Sequence, residues 1–137
     1  MIVRSPYPDV AVPDIPLTAA VLRHADRLAE KPALVDGASG SILTYGQLRD
    51  AVRRVAVGLA QRGFHKGDTL ALYSPNQPEF VIPFLAAAQL GGITTTVNPL
   101  YTVDELTAQL ADAGARYLFT VSSALEKALR PNNGLVC

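Results

Sequence analysis

Cysteine, lysine and histidine are scarce in this sequence, and each shortage weakens the case for a class of function. There is one cysteine, Cys137, and no tryptophan. A single thiol cannot close an internal disulfide, so nothing points to an oxidising compartment. Histidine occurs only at His24 and His65, so with one terminal cysteine no set of side chains has metal-ligand spacing, and lysine occurs only at Lys31, Lys66 and Lys127, which leaves few candidates for a phosphate loop. Lysine plus arginine number 12 and aspartate plus glutamate number 12. That balance gives no electrostatic reason to expect nucleic acid or an anionic membrane as partner. The longest apolar stretch, Phe80 to Leu90, is interrupted by Pro83 and Gln89 and is too short to span a bilayer. Residues Met1 to Pro16 hold four prolines and two aspartates with no apolar run, so no secretory signal is read there and a cytoplasmic protein is expected.

What is present is enough for a core. Apolar residues make up 49% of 137 residues, the size of one ordinary domain. The first 16 residues read as an extended arm, because their prolines remove backbone donors and push each preceding residue out of the helical region. Three threonines then mark helix starts. Thr18, Thr44 and Thr102 each follow an apolar residue and precede a leucine by four, which is a hydrophobic staple around an N-cap. Gln47 and Glu105 stand where they complete capping boxes. The spacing predicts helices over 19–30, 45–61 and 103–113, ended respectively by Lys31-Pro32, Gly63 and Gly114. On the second, Asp50 and Arg54 have the spacing of an exposed ion pair. A further helix is expected to about Leu90, capped by Asn76 with Glu79, begun at Pro78 and kinked at Pro83. A last short helix is expected over 123–130.

Between the helices lie runs of strand length. Ala33–Asp36 and Ser41–Leu43 flank Gly37 to Gly40 and read as a hairpin. Thr69–Tyr73, Ile93–Val97 and Arg116–Val121 alternate with helices, which is the pattern of a parallel sheet with right-handed crossovers.

Chemistry is harder to find. Lys66-Gly67-Asp68 is the nearest approach to a phosphate loop, but it precedes a strand and reads as a tight turn. Gly37 to Gly40 joins two strands rather than a strand and a helix, so it is a hairpin turn and not a dinucleotide fingerprint. Ser74 follows a strand and precedes a helix, the place of a nucleophile elbow, yet Leu72 and Asn76 occupy the positions where glycines belong. His24 and His65 read as surface residues. Asp68, Glu79, Asp104 and Glu105 lie near helix starts or strand ends, and Asp104 and Glu105 suit the positive end of a helix.

Several segments nevertheless resemble a known family in order and spacing. Lys31-Pro32-Ala33-Leu34-Val35-Asp36 followed by Leu43-Thr44-Tyr45-Gly46-Gln47-Leu48 is similar to the first core motif of adenylate-forming enzymes. Gly63 to Asn76, with Pro78-Glu79-Phe80, is similar to the turn, strand and helix start that follow. Gly91 to Thr102 resembles the second core motif, and its Val97-Asn98-Pro99-Leu100-Tyr101-Thr102 ending resembles the branch of 4-coumarate–CoA and fatty-acyl-CoA ligases. The resemblance runs from about Leu17 to Leu129.

It implies the N-terminal part of that fold: α/β, an open, mostly parallel sheet with flanking helices, plus a hairpin and an extended N-terminal arm. The implied divisions are 1–16 for the arm, 17–130 for a partial α/β domain and 131–137 for an irregular tail. Members activate a carboxylic acid with ATP and magnesium, then transfer the acyl group to coenzyme A. The family's phosphate loop, its aromatic-Thr-Glu motif, its ribose-binding aspartate and its C-terminal lysine match nothing here. No residue is therefore assigned a catalytic, cofactor-binding or metal-ligating role, and no cofactor is expected for this chain alone. Residues 131–137 do not resemble the family's continuation, which suggests a truncation or frame change near Arg130. The reading is an inactive N-terminal segment of a ligase. The alternatives are a non-catalytic α/β binding module, or a piece complemented by a separately encoded remainder of the enzyme.

Overall fold

The computed structural model describes residues 5–8 and 10–130; the tail expected over 131–137 lies outside them. The described arm residues form neither helix nor strand and are exposed. The first helix, α1 (Leu17–Leu22), is shorter than predicted and starts earlier, with Pro16 at its N-cap. Thr18 does not cap it. Its hydroxyl is buried and donates to the Leu85 carbonyl at 2.7 Å, so the group that local spacing marks as a cap instead ties α1 to a later helix. Beyond Leu22 the chain proceeds as turns to Lys31, with Ala25 N–H on the Leu22 carbonyl and Lys31 N–H on that of Leu28. The start of the next helix docks on this turn segment. Gly46 N–H takes the Ala29 carbonyl and Tyr45 N–H takes that of Lys31, both at 3.0 Å.

The hairpin is present as β1 (Pro32–Val35) and β2 (Ile42–Thr44), antiparallel, with Val35 opposite Ile42. Its turn is held by Asp36 Oδ1, which accepts from the N–H groups of Ala38 (2.9 Å) and Ser39 (2.7 Å). Bonds from Ser39 first, then from Ala38, hold the Asp36 carboxyl below its ordinary pKa.

Thr44 ends β2 and caps α2 (Tyr45–Gln61) in the capping box read from sequence. Leu48, Val52, Ala56 and Leu59 form its buried stripe. The expected Asp50–Arg54 pair is replaced by another. Arg49 reaches both Asp50 and Asp26, because the docked turn segment brings Asp26 beside α2 and one guanidinium can serve two carboxylates.

Three helices end in the same way. Past α2, Phe64 N–H bonds the Leu59 carbonyl and Gly63 N–H that of Ala60. The pattern repeats at Gly91-Gly92 after α3 (Val81–Gln89) and at Gly114-Ala115 after α4 (Val103–Asp112). Each is a Schellman motif, with its glycine at positive φ, and each turns the chain toward a strand. Before α3, Pro78–Phe80 form a 3-10 turn with Gln77, not Asn76, at its N-cap and no side-chain cap. The expected kink at Pro83 assumes a helix begun at Pro78, but α3 begins at Val81. Pro83 falls in the first turn of α3, where its missing N–H has no partner to lose within that helix.

The strands β3 (Thr69–Tyr73), β4 (Ile93–Val97) and β5 (Tyr117–Thr120) form a parallel sheet in the order β4-β3-β5. β3 lies in the middle and is buried throughout. Its alternate residues face opposite sides, as the two-residue strand period requires. Leu70 and Leu72 join a cluster with α2, α3, Phe64 and Tyr117. Ala71 and Tyr73 join another with Leu106 and Leu110 of α4, Val97, Leu118 and Ala128. After a 3-10 turn at Ser122–Ala124, a one-turn helix α5 (Leu125–Ala128) closes the described chain.

Candidate functional site

The two crossovers leave β3 and β4 on opposite sides of the sheet. The chain leaving β3 enters α3, on the side of Leu70 and Leu72, while the chain leaving β4 enters α4, on the side of Ala71 and Tyr73. Neighbouring strands whose exits diverge leave a gap at their carboxyl ends, where open α/β sheets bind ligands. Here that gap is an open crevice of about 800 Å³. Ser74 and Asn76 line it from the end of β3, Thr96, Asn98 and Tyr101 from the end of β4, and Glu105, Gln109 and Asp112 from α4.

The stretch 98–102 along its rim is fixed from several sides. Tyr73 Oη donates to the Pro99 carbonyl at 3.2 Å, and Lys127 Nζ donates to the Tyr101 carbonyl at 2.9 Å. Asn98 Oδ1 accepts the Leu100 N–H at 3.0 Å. Gln109 Nε2 donates to Thr95 Oγ1 (3.1 Å) and the Thr96 carbonyl (2.9 Å), joining α4 to β4. At the start of α4 the Thr102 N–H and hydroxyl both donate to Glu105 Oε2, at 2.8 and 2.9 Å. These bonds, the backbone one first, hold the Glu105 carboxyl below its ordinary pKa. A carboxylate lowered in the folded state stabilises it above the unfolded pKa, and this contribution is lost as pH falls through the folded value. Thr102→Val, which keeps the backbone donor and removes the hydroxyl, should move the Glu105 titration part of the way back up. A carboxyl-carbon NMR titration that shows no upward movement would contradict that cause.

The residues weighed in the sequence fall into separate places. Ser74 and Glu105 line the crevice; Asp104, His65 and Asp68 do not. Ser74 is buried, and its hydroxyl donates to the Pro75 carbonyl at 2.9 Å, so it has the geometry of a strand-end tie. Lys66-Gly67-Asp68 is a turn before β3, at the other end of the strand. There Asp68, 8% exposed, accepts the His65 N–H at 2.9 Å and faces His65 Nδ1 (3.2 Å) and Arg116 (3.8 Å). Gly37 and Gly40 sit in the hairpin turn, and His24 is exposed. Asn98, Tyr101 and Gln109 were not singled out from sequence as site residues. Asn98 and Tyr101 lie in the stretch that resembles the second core motif, which could have marked them, while Gln109, inside α4, carries no such signal.

Chemically the crevice offers amides, hydroxyls and two carboxylates. No lysine, arginine or histidine lines it. That donor set does not fit the phosphates of ATP or coenzyme A, which need cations and converging backbone N–H groups. Among the described residues no three His, Cys, Asp or Glu side chains are grouped to hold a metal ion. No described helix is long and apolar enough to cross a membrane.

Comparison with known proteins agrees with the motifs. The chain is 43% identical to 4-coumarate–CoA ligase 5 of Oryza sativa subsp. japonica over 126 residues, which is 90% of this chain and 23% of that protein. It is 38% identical to 4-coumarate–CoA ligase 3 of Arabidopsis thaliana over 127 residues, again 23% of the relative. The chain thus spans about a quarter of the length of the curated relatives it matches. Among solved structures, a benzoate CoA ligase from Burkholderia xenovorans LB400 shares the fold with a TM-score of 0.81 at 23% identity, covering 88% of this chain and 25% of that one. The parallel three-stranded sheet with flanking helices is the architecture of the N-terminal domain of adenylate-forming enzymes. A family described as AMP-binding enzyme matches residues 21–136, including most of the stretch that motif comparison had set apart after Arg130. The chain belongs to the AMP-binding enzyme family.

Proposed function

We propose that this chain is the N-terminal segment of an ATP-dependent carboxylate–CoA ligase and that it does not activate an acid on its own. The observation that carries the reading is the match itself: over nine-tenths of this chain aligns with 4-coumarate–CoA ligases, yet it accounts for 23% of their length. The arm over 1–16 and the α/β unit over 17–130 are its parts, followed by the short stretch 131–137. Its partner is the remainder of the ligase, and its setting is the cytoplasm. The crevice at the ends of β3 and β4 supplies a polar wall, while groups elsewhere in the enzyme grip ATP, magnesium and coenzyme A. This division follows from charge. Adenylation needs cations around a triphosphate, and the crevice lining contributes no lysine, arginine or histidine.

The test is ATP–pyrophosphate exchange with the purified chain, magnesium and a panel of aromatic and aliphatic acids. Exchange no faster than in the absence of protein is expected. Acid-dependent exchange would overturn the reading, because it would place a complete adenylation site within these residues.

A further inference from the structure

We draw no further inference here: the strongest candidate, the apolar groove of about 270 Å³ between α2 and β5, lined by Val55, Leu59, Leu70 and Phe119 among others, carries nothing because nothing in the structure shows what covers it.

Discussion

Replacing Gly92 with alanine is expected to destabilise the fold by about 1–3 kcal/mol, the usual range for an added methyl group that a packed core cannot admit. A Cβ at this position would overlap the Phe64 ring at Cζ and Cε1 and stand 3.2 Å from the Ala87 carbonyl oxygen. Phe64 is 3% exposed and packs edge-on against Tyr117, with ring centroids 5.0 Å apart, so it has little room to retreat. Gly92 also donates its N–H to the Ala87 carbonyl at 2.9 Å, which fixes its backbone where the ring is. Urea unfolding of the variant should show a lower midpoint with an unchanged slope. Phe64→Leu, costly by itself, should make the alanine at position 92 less harmful. Strict additivity of the two changes would show that the methyl group and the ring do not compete for the same space.

Leu106→Ala should cost about 2–5 kcal/mol, as large-to-small changes at fully buried leucines do. Leu106 is 0% exposed and sits in the cluster formed by α4, Ala71, Tyr73 and Leu118. Val52, 1% exposed, belongs to the cluster on the opposite side of β3. The two clusters share no residue. Combining Leu106→Ala with Val52→Ala should therefore add their individual losses to within about 0.5 kcal/mol. A much larger interaction energy in the double-mutant cycle would mean that the sheet does not separate two independent cores.

Much of this architecture was legible because its signals are local. The capping boxes of α2 and α4 lie within four residues each, and both form as their sequences specify. The alternation of apolar strand-length runs with helices marks β3, β4 and β5, and all three pair in parallel. Some of the differences come from a partner distant in sequence and others from local boundaries that the spacing does not show. Thr18 carries the same staple as Thr44 and Thr102, but its hydroxyl finds Leu85, 67 residues away. The first helix gives way to turns after Leu22, and the start of α2 docks on them through the carbonyls of Ala29 and Lys31. Arg49 prefers Asp26, 23 residues upstream, to leaving Asp50 for Arg54. A kink is expected at Pro83 because the spacing does not show that a 3-10 turn at 78–80 precedes α3, which begins at Val81. The crevice was hidden for a related reason. Ser74, Asn98 and Gln109 belong to no single motif, and the divergence of two strand exits brings them to one crevice.

The central position of β3 has a consequence for how the polypeptide is made. β3 emerges first of the three strands, yet its earlier neighbour ends at Val97 and the other at Thr120. During translation one flank of β3 must therefore wait for Val97, and the other stays bare until Thr120 has cleared the exit tunnel. Ribosome-stalled chains that expose residues only to Gly92 should be cleaved by protease within 69–73, whereas chains exposed past Thr120 should resist. Resistance in the shorter chains would mean that the central strand is sheltered before either neighbour arrives.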